Sequence, residues 1–126
     1  MPLVRIDLPE STNHLDREAV GAVVYDALVH VAGAPENDRF VVTTAHDGAS
    51  LMMDRSYLVE RTDRALIIQI TLNAGRSLEL KKRLYRAIAD GLHEAIGIRT
   101  EDVLINLVEV PKENWSFGAG IAQYAD

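Results

Sequence analysis

The chain has 126 residues, 48% of them hydrophobic and 25% charged, the proportions of an ordinary globular domain with room for one core. A formal net charge of −6 argues against a nucleic-acid backbone or an anionic membrane as partner. The absence of cysteine excludes a disulfide framework, a thiolate metal site and a cysteine nucleophile.

Pro2 directly follows Met1 and opens an extended apolar run, Pro2-Leu3-Val4-Arg5-Ile6-Asp7-Leu8. Removal of Met1 leaves a secondary amine at the end of a strand. A free α-amino group titrates near about 7.7–8.0 and burial lowers that value, so such a nitrogen can work as an acid or a base at neutral pH. The competing reading is a strand-edge proline that simply lacks a ladder donor. Asp7 and Glu10 stand where a signal peptide would be basic and then apolar, and the expectation is a cytoplasmic protein.

Apolar residues at 20, 23, 24, 27, 28 and 31 follow helical spacing, with Asn13 as N-cap, Asp16 in the first turn and Gly33 as the stop. The segment Ala19 to Ala34 is broken by Asp26 and His30 and is too short to span a bilayer. Pro35 and Asp38 turn the chain into a strand from about Arg39 to Ala45. Residues 47–64 form a long, mostly polar connection. A strand at 66–72 follows. A second helix has apolar positions 84, 87, 88, 91, 92 and 95, the Ser77 cap and the Gly97 stop. The last strand runs from about Val103 to Glu109, and glycine-rich Asn114 to Tyr124 forms a tail.

The two halves match at one constant offset. Leu3–Leu8 lies over Ile67–Leu72, Val24 over Ile88, Leu28 over Leu92, Gly33 over Gly97 and Asp38 over Asp102. The chain is therefore a duplicated βαβ unit in one domain, with repeat 1 at about 2–46, repeat 2 at about 65–110 and a tail at 111–126. The fold class is α/β (α+β), with a four-stranded mixed sheet and two helices on one face. The strands at 66–72 and 103–108 are apolar at both parities, the pattern of strands covered on both faces. Two helices cover one face only, so the other is expected to meet a further copy of the chain.

Three features carry a family resemblance: Pro2 opening the first strand, the duplicated unit, and the tail Asn114-Trp115-Ser116-Phe117-Gly118. Together they resemble the tautomerase superfamily, whose members use an amino-terminal proline as catalytic base or acid. Pro35-Glu36-Asn37-Asp38-Arg39, Gly75-Arg76-Ser77 and the tail are similar to the branch containing malonate semialdehyde decarboxylase. The resemblance implies a homotrimer, a small carboxylate substrate and no cofactor. It implies that Pro2 is the catalytic nitrogen, that Asp38 positions water or substrate beside it, and that Arg76 binds the substrate carboxylate. Trp115 and Phe117 would wall the pocket. The decarboxylase branch carries a second arginine two residues before the one matching Arg76. Here that position is Ala74, and Asn73 beside it is a neutral hydrogen-bonding substitute.

Arg76 near a helix N-terminus is electrostatically misplaced, which points to a compensating anion. Asp38 has a plain alternative as a turn residue, the role expected of its repeat mate Asp102. The four histidines, His14, His30, His46 and His93, show no metal-ligand spacing, so no metal is expected. The leading expectation is a cofactor-free tautomerase acting on a small 2-oxo acid. A lyase, decarboxylating a 3-oxo acid or hydrating an unsaturated one with cationic Pro2, comes second. A non-catalytic trimeric binding protein is the third.

Overall fold

The computed structural model describes residues 2–125, so the removal of Met1 concerns a residue outside the described ones. The element order is β1 (Leu3–Pro9), α1 (His14–His30), β2 (Val41–His46), β3 (Leu66–Asn73), α2 (Leu78–Ile96) and β4 (Val103–Val110). Short 3-10 turns occupy Thr100–Asp102 and Lys112–Asn114. The sheet order is β2-β1-β3-β4. Each βαβ unit contributes a parallel pair, and the antiparallel β1/β3 pair joins them at the centre.

Alternation fixes which face of the sheet is covered. Val4, Ile6 and Leu8 of β1 and Leu66, Ile68, Ile70 and Leu72 of β3 are buried. They pack with Val20, Val24 and Leu28 of α1 and Leu84, Ile88 and Leu92 of α2 in one core. Gly91 of α2 sits against Val23 of α1: a Cβ there would stand 2.7 Å from Cγ1 of Val23.

The helix ends follow their local chemistry. The side chain of Asn13 accepts from the N–H of Asp16, and that of Ser77 from the N–H of Leu80. Gly97 ends α2 in the left-handed conformation, its N–H donating to the carbonyl of His93. α1 ends differently from the expectation. Its C-cap is right-handed Val31, and Gly33 takes its positive φ two residues later, inside the turn leading to Ala34.

The uncovered sheet face is less apolar than the sequence pattern suggested. Ile67, Leu104 and Val108 share it with Arg5 and Asp7, and Gln69 Nε2 donates to Asn106 Oδ1 at 3.0 Å across the β3/β4 pair. His46 Nε2 and Asp7 Oδ1 are 2.6 Å apart on the same face. Polar pairs thus interrupt the apolar strip, a pattern that suits a contact with a defined register better than a featureless greasy surface.

The 47–64 connection is held by short-range bonds. Asp47 accepts from the N–H groups of Ala49 and Ser50, and Asp54 from those of Ser56 and Tyr57. Hydrogen bonds hold both carboxyls below the ordinary range, led at Asp47 by the Ser50 side chain and at Asp54 by the Ser56 N–H. The connection still leaves Met52, Tyr57 and Leu58 exposed, at 85%, 68% and 84%.

Candidate active site

Parallel β1/β2 register brings the start of β1 beside the entry to β2, where the N–H of Val4 donates to the carbonyl of Phe40. The tail after β4 returns to this same corner. Pro2, Leu3, Phe40, Trp115, Ser116 and Phe117 there line a cleft of about 220 Å³. Pro2 is itself buried.

The walls are aromatic. Trp115 and Phe117, two residues apart on an extended segment, stack with ring centroids 5.2 Å apart and planes 9° apart. Tyr124 meets Phe117 edge-on at 5.2 Å, and Phe40 approaches it at 6.1 Å. The indole N–H of Trp115 donates to Oδ1 of Asn73 at 2.7 Å, pinning the tail to the end of β3. Such a surround weakens water's screening, which favours the neutral form of an amine.

Asn73 is 5% exposed and links the cleft to Arg76, whose Nη1 donates to the Asn73 carbonyl at 2.8 Å. Nη2 reaches the carbonyl of Ala32 at 3.4 Å, across the turn after α1. Arg76 thus spends its fork on two main-chain oxygens rather than on a protein carboxylate. Its buried Nε has no acceptor among the described residues. Glu109 stands near enough to feel the Arg76 charge, but it bonds elsewhere: Lys81 Nζ donates to it at 2.6 Å. That hydrogen bond is the main reason the Glu109 carboxyl lies below the usual range.

Asp38 is 8% exposed, in the turn where its N–H donates to the Pro35 carbonyl. The turn is held to α1 by Tyr25, with the Arg39 guanidinium 5.1 Å above its ring. Burial first, and then the charge of Asp38, push the Tyr124 phenol above its ordinary value. From the stacked pair one line of bonds thus runs through Asn73 to Arg76, and Tyr124 packs edge-on against Phe117.

The six sequence-predicted residues occupy one corner, with Pro2, Trp115 and Phe117 on the cleft itself. Asn73 anchors Trp115 and accepts from Arg76, and Asp38 lies in the turn two residues before Phe40; these three do not line the cleft. Phe40 and Tyr124 join this corner as well, Phe40 on the cleft and Tyr124 against Phe117. Their place in the wall depends on chain segments that meet only after folding. A broader groove of about 490 Å³ lies at the other end of β1, among Pro9, His46, Met52, Arg55 and Asp63, and contains none of the six. Among the described residues no group of three or more histidine or acidic side chains is placed to hold a metal ion. Among the described residues no helix is long and apolar enough to cross a membrane.

Two family models described as tautomerase enzyme match the chain, one over residues 38–118 and the other over residues 2–56. A probable tautomerase of Bacillus subtilis strain 168, YusQ, is 37% identical over 124 residues, covering 98% of each chain. The crystal structure of FG41 malonate semialdehyde decarboxylase inhibited by 3-bromopropiolate superimposes with a TM-score of 0.91 at 39% identity, covering 97% of this chain and 93% of that one. A fused 4-OT wild-type symmetric trimer shares the fold, with a TM-score of 0.80 at 22% identity over 98% of both chains. The family models, the relative and the shared topology together show that the chain belongs to the tautomerase family.

Proposed function

We propose that the chain, once Met1 is removed, is a cofactor-free tautomerase that interconverts the keto and enol forms of a small 2-oxo acid. The observation that carries this reading is the convergence of Pro2 with Trp115 and Phe117 on one small, apolar-walled cleft. In the enolising direction the neutral Pro2 nitrogen takes a proton from the carbon next to the carbonyl. The C–H electron pair becomes the new double bond, and the carbonyl oxygen gains negative charge. Protonated Pro2 then returns the proton to that oxygen directly or through water, which restores the neutral amine. Arg76 binds the substrate carboxylate with the guanidinium whose Nε has no acceptor among the described residues, and its charge stabilises the developing enolate. Asn73 supports the carboxylate end, and Asp38 orients Pro2 or a water. The protein works in the cytoplasm as a homotrimer, with the uncovered sheet face and exposed Met52, Tyr57 and Leu58 as contact surface.

The likeness to a malonate semialdehyde decarboxylase at 39% identity favours a second reading, a lyase acting on a 3-oxo or unsaturated acid. There Pro2 is cationic, and Asp38 holds its proton or directs water. Ala74 in place of a second arginine weakens the carboxylate grip, which weighs against this reading more than against tautomerisation.

The test is ultraviolet-monitored ketonisation of an arylenolpyruvate by wild type and Pro2→Ala, after mass spectrometry has established loss of Met1. Fast turnover abolished by the substitution supports proline catalysis. Activity that falls as the pH drops through the proline pKa identifies the base, and activity that falls as the pH rises through it identifies the acid. Processed protein inactive on enol, 3-oxo and unsaturated acids alike leaves a non-catalytic binding role.

A further inference from the structure

The tail reverses direction over three consecutive residues with positive φ: Gly118 at 136°, Ala119 at 59° and Gly120 at 69°. Ala119 carries a Cβ into the left-handed region, a conformation that persists only where surrounding contacts fix it. One side chain supplies two of those contacts. Gln123 Oε1 accepts from the N–H of Phe117 at 2.9 Å, and its Nε2 donates to the carbonyl of Gly118 at 3.0 Å. The two ends of the reversal are thereby clasped, and the neighbour Tyr124 is delivered edge-on to Phe117. The N–H of Ile121 reaches the same Gly118 carbonyl only at 3.5 Å, so the amide is the stronger closure.

We propose that Gln123 is a positioning residue: its amide clasp sets the Trp115–Phe117–Tyr124 wall at the distance from Pro2 that the apolar part of the substrate fills. Gln123 itself is exposed and does not line the cleft, so it acts through Phe117 and Tyr124. Without the clasp the reversal would sample other conformations and the wall would stand open for part of the time. Substrate binding would then carry the ordering cost that the clasp meets in advance. Only the kinetic arm of the test rests on the tautomerase reading.

Trp115 is the sole tryptophan, so its fluorescence reports the wall directly. The experiment compares full-length wild type, Gln123→Ala and Gln123→Glu by acrylamide quenching of Trp115 and by arylenolpyruvate kinetics. Gln123→Ala should raise the quenching constant and should raise KM by about 2–10-fold with kcat little changed, the range expected for lost hydrogen bonds of ordinary strength. Gln123→Glu keeps the acceptor for the Phe117 N–H but loses the donor to Gly118, and should fall between the two. Unchanged quenching in Gln123→Ala overturns the proposal whatever the kinetics. Raised quenching with unchanged KM, or a loss confined to kcat, also overturns it. If wild type itself ketonises nothing, the tautomerase reading fails while the quenching comparison still decides the clasp.

Discussion

Trp115 donates its indole N–H to Oδ1 of Asn73 at 2.7 Å, although the two residues stand 42 apart in sequence. The bond joins the tail of the second repeat to the last residue of β3 and fixes one wall of the Pro2 cleft. The Asn73 carbonyl in turn accepts from Nη1 of Arg76, so one residue holds both the indole and the guanidinium.

Replacing Asn73 with Ala should leave the indole N–H without its partner, at a cost of about 1–3 kcal/mol where it cannot reach water. Because the chain has one tryptophan, a ¹⁵N-labelled sample gives a single indole resonance. That resonance should move and broaden in Asn73→Ala and stay near its wild-type position in Asn73→Asp, which keeps the acceptor. An unmoved resonance in the alanine variant would mean that the bond does not hold the wall.

Arg76 is the second linked case. Arg76→Lys retains the charge but cannot present a planar fork, and it cannot reach the Asn73 and Ala32 carbonyls together. The expected result is a rise in KM for a 2-oxo acid of about 10–100-fold, the range for a lost charge-assisted pair. A neutral ester of the same acid should be affected much less. Equal losses for acid and ester would show that Arg76 serves the fold and not the carboxylate.

Much of this architecture is legible in the chain. The alternation of Val4, Ile6 and Leu8, the helical spacing of Leu84, Ile88 and Leu92, and the Asn13 and Ser77 caps are local patterns, and local patterns survive into structure. The partners of Arg76 were not legible. Its fork donates to the carbonyls of Asn73 and Ala32, and main-chain carbonyls leave no mark in a sequence. Phe40 and Tyr124 escaped for a related reason: their roles come from packing between segments far apart in the chain. The doubly apolar strands gave a partial answer, because the polar pairs Gln69–Asn106 and Asp7–His46 become visible as pairs only once register is known.

Tyr124 and Asp38 give a pH-dependent prediction. The Tyr124 phenol is raised above its ordinary value of 10.0, by burial and then by the Asp38 charge. A raised folded pKa means that the folded chain holds the phenolic proton more tightly. The associated stability is complete below the unfolded value and is lost as pH rises through the folded one. Asp38→Asn removes the anion and should lower the Tyr124 midpoint. The phenolate absorbance difference between each protein and its Tyr124→Phe counterpart isolates this group from the other three tyrosines. An unchanged midpoint would place Asp38 too far away to act on the tyrosine.

Asp102 offers a test of the connection between the repeats. It is 1% exposed and accepts from both the N–H of Thr62, at 2.7 Å, and its hydroxyl, at 2.5 Å. The turn residue of the second repeat is therefore also the anchor of the 47–64 connection. Asp102→Ala should destabilise the fold by about 2–4 kcal/mol, since a part-buried N–H and a hydroxyl lose a charged acceptor. Thr62→Val, which removes only the hydroxyl, should cost less. Urea denaturation at matched protein concentration measures both, and equal losses would mean that the backbone N–H contributes nothing.

Gly91→Ala sets two effects against each other. Alanine is favoured over glycine inside a helix by about 1 kcal/mol, so propensity alone predicts a gain. The new Cβ, however, would stand 2.7 Å from Cγ1 of Val23, a distance at which one side must move. Val23 is β-branched and sits within α1, where a single rotamer is strongly preferred, so it yields poorly. Overpacking of this kind costs about 1–3 kcal/mol, which should outweigh the propensity gain and leave the variant less stable. Shortening the neighbour relieves the clash, so Val23→Ala added to Gly91→Ala should cost much less than Val23→Ala costs in the wild-type background. Additive losses in that double-mutant cycle would mean that the helices separate slightly to admit the methyl group.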